Sequence, residues 1–169
     1  MKKLVLSVAL FGSLAACQSH VEITQDPSNA ALTNVSAKDR LSDGTSMVVV
    51  RAFREGAEGK RGEEIIGAKC NLLSDDLAAQ AVTPQEVVVP KFKQRAEFAD
   101  RGVPSALVVS CNYGELKGVT QVTAAAKSTS VMTGAGIAGA VLSIATTAAL
   151  AASTPWVYQD IAYVVLTDG

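Results

Sequence analysis

Histidine is nearly missing from these 169 residues: His20 is the only one. A Ser-His-Asp or Cys-His system needs an imidazole beside its nucleophile, so the sequence offers no such machinery beyond the N-terminal stretch. Cysteine is scarce too, with three residues, Cys17, Cys70 and Cys111, and no Cys-x-x-Cys pair from which a zinc site would be built. Lys and Arg number fifteen against sixteen Asp and Glu and are interspersed with them. Without a basic cluster to neutralise a row of phosphates, charge gives no support for nucleic-acid binding. The carboxylate pairs Glu63-Glu64 and Asp75-Asp76 fall in turn-like contexts, where adjacent acids read as solvated surface charge rather than as a working acid and base. These absences predict a protein without catalysis, metal or cofactor.

What is present begins at the N-terminus. Lys2 and Lys3 precede an uncharged run over residues 4–14, too short to span a bilayer but the length of a signal-peptide apolar region. Leu14-Ala15-Ala16-Cys17 follows and resembles the lipobox of bacterial lipoproteins. That resemblance implies cleavage before Cys17, acylation of its thiol and anchoring to membrane lipid. Gln18, in place of the aspartate that retains such proteins at the inner membrane, implies sorting to the periplasmic face of the outer membrane. Several acyl chains anchor stably where one would bind reversibly, at about 0.8 kcal/mol per buried methylene. Removing residues 1–16 takes Lys2 and Lys3 with it and leaves thirteen basic against sixteen acidic residues, a side-chain charge of minus three.

The mature chain divides into a flexible tether over 17–46, rich in Ser, Asn, Thr, Asp and Gln with little periodicity, and a β module over 47–127. Strands are predicted around 47–53, 68–72, 78–83, 86–89 and 106–111, with a charged, Gly-punctuated loop over 54–64. Residues 119–125 suit either a strand or a helix. Phe92 and Phe98 are expected to plug the core. Cys70 and Cys111 lie in two strand-like runs, and in an oxidising compartment they pair as a disulfide or remain as buried thiols. Repeated short strands between turn signals point to a mainly β fold, a small antiparallel sandwich or open barrel.

The succession Gly67-Ala68-Lys69-Cys70-Asn71-Leu72, Ser74-Asp75-Asp76, Thr83-Pro84, Val87-Val88-Val89-Pro90 and Leu107-Val108-Val109-Ser110-Cys111 resembles a small two-cysteine β-sandwich module of uncharacterised bacterial lipoproteins. It departs from that pattern in the longer stretch between Pro90 and Ala106. The resemblance implies a fold and a compartment but no activity.

The C-terminal region reads as a Gly/Ala-rich apolar helix over 128–155 followed by a final strand over 156–169. Residues 131–152 carry no charge and would make a helix of about 33 Å, close to the thickness of a bilayer core. Only seven of these residues are large and apolar, so insertion is marginal. Gly136, Ala140, Ser143 and Thr147 form a stripe of small side chains at helical spacing, and Gly134 and Gly139 extend it. Such a stripe suits either helix association at a membrane or close packing of a helix on the module's own sheet. Gly134-Ala135-Gly136-Ile137-Ala138-Gly139 also matches the dinucleotide fingerprint, but no alternating strand and helix pattern surrounds it. Trp156 and Tyr158 suit a membrane interface or a core, with the core expected.

Two functions follow as expectations. The first is a lipid-anchored envelope lipoprotein with a structural or protein-binding role, whose partner is an envelope protein or a second copy. The second is a membrane-inserting or self-assembling lipoprotein acting through the glycine-zipper helix.

Overall fold

The computed structural model describes residues 20–95, 100–126 and 154–169. Within them the chain is mainly β. Twelve strands form one mixed sheet: β1 (Ser28–Asn29), β2 (Ala31–Leu32), β3 (Leu41–Glu55), β4 (Arg61–Ile65), β5 (Lys69–Leu73), β6 (Leu77–Val82), β7 (Gln85–Phe92), β8 (Leu107–Tyr113), β9 (Leu116–Val122), β10 (Ala124–Ala126), β11 (Trp156–Tyr158) and β12 (Ile161–Asp168). A six-residue 3-10 helix, Val35–Arg40, precedes β3; Asn34 caps it by accepting from the Ser36 N–H.

The strands form where apolar and polar residues alternate, because alternate side chains point to opposite faces. In β5, Cys70 and Leu72 are buried while Lys69, Asn71 and Leu73 are exposed. β8 buries Leu107, Val109 and Cys111, and β12 buries Ala162, Val164 and Leu166. These inward rows join Val48, Val50, Val87, Val89, Phe92 and Tyr158 in one hydrophobic cluster drawn from most strands of the sheet. Phe92 and Tyr158 meet edge to face, with ring centroids 6.3 Å apart.

The strand order is β10-β11-β7-β3-β12-β9-β8-β5-β6-β2, with β4 on β3 and β1 on β7. Most pairs are antiparallel, but β12 runs parallel to β3 and β1 parallel to β7. The expected small antiparallel arrangement is therefore corrected to a large, open, mixed sheet. The last strand returns to the middle of the order and joins β3 to β9, a pairing across more than a hundred residues that no local pattern encodes. Residues 28–32 touch both halves of the sheet, since β1 pairs with β7 and β2, one residue later, pairs with β6.

The flexible tether is corrected as well. Residues 20–46 carry β1, β2, the 3-10 helix and the start of β3. Their polar side chains and backbone bond to neighbours: the Gln25 amide donates to the Val82 carbonyl, Gln85 donates to that of Asp26, and the Ala30 N–H donates to that of Val88. The charged loop is shorter than expected, because 61–65 already form β4, and the predicted final strand is two strands, β11 and β12. The stretch that suited either strand or helix is strand on both sides of Thr123, the end of β9 before it and β10 after it. Phe92 and Tyr158 are buried and Trp156 packs against the core, whereas Phe98 lies outside the described residues.

The strands give the molecule two ends. One, here called upper, carries the turns at 56–60, 66–68, 83–84 and 113–115; the other, lower, carries the 3-10 helix, the turn at 74–76 and the ends of β10 and β11. At the upper end the Thr83 hydroxyl donates to the Ile65 carbonyl at 2.8 Å and accepts from the Ala68 N–H at 3.1 Å, tying two turns together beside the cis Thr83-Pro84 bond. Gly118 on β9 lets β12 pass: a Cβ there would lie 2.1 Å from the Val165 carbonyl oxygen.

Candidate functional site

The polar centre of the described structure lies on the outer face of β3, β4 and β12, near the upper end. Arg51 is paired with Tyr163 across the β3–β12 ladder, and Phe53 with Glu64 across β3–β4. Arg51 and Glu64 form an ion pair at 2.5 Å, both side chains nearly buried at 11 % and 7 % exposure. A buried pair costs desolvation that must be offset by further hydrogen bonds. The N-terminal segment supplies them: the Val21 N–H donates to Glu64 Oε2 at 2.9 Å, and Arg51 donates to the Val21 carbonyl at 2.8 Å.

His20 completes the cover. Its ring stacks on Tyr163 with centroids 5.8 Å apart and meets Phe53 edge-on at 6.1 Å. Its Nδ1 sits 3.6 Å from Glu64 Oε2 and its Nε2 lies 3.4 Å from the Tyr163 hydroxyl. Arg61 also lies over the Tyr163 ring, with its guanidinium carbon 4.1 Å from the centroid. Burial pushes the Glu64 carboxyl up, but the Val21 N–H, the Arg51 guanidinium and the nearby His20 together outweigh it and hold the carboxyl below its ordinary value. The arrangement is a latch: it fixes the chain at residues 20–21 against the sheet.

A second ion pair pins the lower end. Arg40 meets Asp76 at 2.5 Å, and the Asp76 side chain is only 3 % exposed. The expectation that Glu63-Glu64 and Asp75-Asp76 are solvated pairs is thus corrected for one member of each. An arginine pairs with the nearly covered carboxylate of Glu64 and with the buried one of Asp76, while Glu63 and Asp75 face solvent. Tyr158 packs nearby and donates its hydroxyl to the Ser105 carbonyl at 2.8 Å; burial raises its pKa.

A shallow groove of about 440 Å³ runs along the outer face of β3 toward the lower end, with Met47, Val49 and Ile161 as its apolar floor and Glu86, Lys91 and Asp160 at its sides. Among the described residues no three His, Cys, Asp or Glu side chains come together as a metal site, and no helix is long and apolar enough to cross a membrane.

Of the residues singled out from the sequence, Cys70 and Cys111 are brought together. They face each other across β5 and β8, with Cα atoms 4.0 Å apart, and form a buried disulfide. Cys17 lies outside the described residues, as do Gly134, Gly136, Gly139, Ala140 and Ser143 and the helix expected over 128–155, apart from 154–155 just before β11. The latch was not foreseen. Its signal was Arg51 inside the apolar run Met47-Val48-Val49-Val50-Arg51-Ala52-Phe53, a charge that requires a partner when the strand is buried. Against known protein families, characterised proteins and solved structures, the chain has no match.

Proposed function

We propose that the chain is an envelope lipoprotein, cut before Cys17, acylated there and held by lipid at the periplasmic face of the outer membrane, where its β module serves a structural or protein-binding role. The observation that carries this reading is the cysteine arithmetic. Of three cysteines, Cys70 and Cys111 are joined in the core, which suits an oxidising compartment, and Cys17 alone remains, at the position that a lipobox requires. The disulfide-bonded sheet, with residues 28–32 bridging β7 and β6, supports the open-barrel form of the β module and the kinship with two-cysteine lipoproteins.

Metabolic labelling with a palmitate analogue tests the anchor. The native chain is expected to incorporate the label and fractionate with the outer membrane. A Cys17→Ser variant behind a conventional signal peptide is expected to lose the label and be released as a soluble periplasmic protein. Retention of the unacylated variant in the membrane would instead favour a role through residues 131–152. Crosslinking in intact cells, followed by identification of adducts, tests the binding role, and repeated recovery of no specific envelope partner would remove it.

A further inference from the structure

We propose that the upper end of the sheet rests on the phospholipid headgroups of the bilayer that holds Cys17, with Ile66 and Tyr113 as its apolar contacts. This rests on the lipid-anchored reading and adds to it an orientation and a contact surface.

The argument begins with chain length. Only Gln18 and Ser19 separate Cys17 from His20. Three Cα steps reach at most about 11 Å. His20 and Val21 are not free to extend that reach, because the latch holds both against Phe53, Tyr163, Arg51 and Glu64. The direction of the segment fixes which end is concerned. Ser28 and Asn29 lie beside Val87 and Val88, Asp26 accepts from Gln85, and Val21 sits at Glu64, so residues 28 to 20 climb toward the upper turns. Three Cα steps keep Cys17 within about 11 Å of His20, so acyl chains on Cys17 would hold the upper end, rather than the lower, against the bilayer.

The chemistry there suits a headgroup layer. Ile66 in the β4–β5 turn is 58 % exposed and Tyr113 at the β8–β9 turn 45 %. A tyrosine with a wet hydroxyl and an apolar ring belongs at the boundary between water and hydrocarbon. Arg54, Lys60 and Arg61 are exposed near the β3–β4 turn, but so are Glu55, Glu58 and Glu63. This balanced set fits zwitterionic headgroups, which carry phosphate and ammonium together, better than a strongly anionic surface. Seating is therefore insensitive to salt.

Fluorescence quenching in vesicles tests the orientation. The full-length acylated protein is reconstituted in phosphatidylethanolamine and phosphatidylglycerol containing a headgroup nitroxide lipid. With Cys17 acylated and Cys70 joined to Cys111, a thiol introduced by Ile66→Cys, Tyr113→Cys, Val35→Cys or Val103→Cys is the one available for a fluorophore. All four positions are exposed, and Val35 and Val103 belong to the lower end. Labels at 66 and 113 are expected to be quenched at least about twofold more than those at 35 and 103, with little change between low and high salt. Equal or reversed quenching in protein that floats with the vesicles would overturn the orientation and leave the anchor standing. Protein that carries no acyl chain by mass and fails to float would remove the anchor, and the proposal with it.

Discussion

Glu64 is the residue whose charge the latch requires, and its behaviour with pH follows from its surroundings. Its folded carboxyl is held below the ordinary value of 4.5, so the stabilisation is fully present above that value and is lost as pH falls through the lower folded one. Glu64→Gln keeps the shape but gives Arg51 a neutral partner. The variant is expected to lose about 2 kcal/mol at neutral pH, the worth of a hydrogen bond to a charged group, and to converge on the native protein in acid. Urea unfolding of both at pH 7 and in the acid range checks this, and parallel pH profiles would contradict it. Gly118 tests packing at the same scale. Its missing Cβ is space that the Val165 carbonyl already fills, with Leu166 Cδ2 2.9 Å away, and a carbonyl held in the backbone of β12 has little to give. Gly118→Ala is expected to cost about 3 kcal/mol or more by the same unfolding measurement. A smaller loss, under about 1 kcal/mol, would mean that β9 and β12 separate easily.

The strands are the elements where sequence and structure agree most closely. β5, β7 and β8 were legible because each alternates or concentrates β-branched residues between turn signals, and the disulfide between β5 and β8 follows from two cysteines at opposed positions. β1 and β2 were not legible: two residues each, Ser-Asn and Ala-Leu, they are held by backbone pairing to strands more than forty residues away and carry almost no pattern of their own. The parallel placement of β12 beside β3 was invisible for the same reason. Arg51 was visible as a charge in an apolar strand, but its partners Glu64 and Val21 come from a loop-like stretch and from residues that read as spacer. The disulfide ties neighbouring strands already in register, so its effect is expected mainly in the unfolded chain. A sequence separation of 41 residues corresponds to about 4 kcal/mol in the chain-entropy model. Cys70→Ala with Cys111→Ala is expected to lose about that much while keeping the far-ultraviolet signature of the sheet. Loss of the sheet itself would show that the bridge is needed to form the fold.

At the scale of the whole molecule, the described strands on either side of residues 131–152 bear on the reading of that stretch as a single membrane span. Ala126 pairs with Trp156 across the β10–β11 hairpin, and Trp156 pairs with Phe92, which pairs with Leu41 at the start of β3. The departure and return of the chain therefore share one place, at the lower end. From Leu41 to Arg51 is ten residues of strand, up to about 33 Å, so that place lies far from the latch and from the end where Cys17 attaches. A single span across a bilayer would set its two ends about 30 Å apart on opposite sides. Five Cα steps join Ala126 to Val131 and four join Ala152 to Trp156, reaching about 18 Å and 14 Å. Neither can cross the hydrocarbon to bring the chain back to the same hairpin. Residues 131–152 are thus expected not to traverse the membrane once, whatever their mean hydropathy. In vesicles carrying the acylated protein on their outer surface, thiols introduced by Ser128→Cys and Ser153→Cys should react with an impermeant maleimide to the same extent. Protection of one of the two until the vesicles are lysed would require the β10–β11 pairing to open, and would show that the glycine-rich segment can displace an edge of the sheet to enter the bilayer.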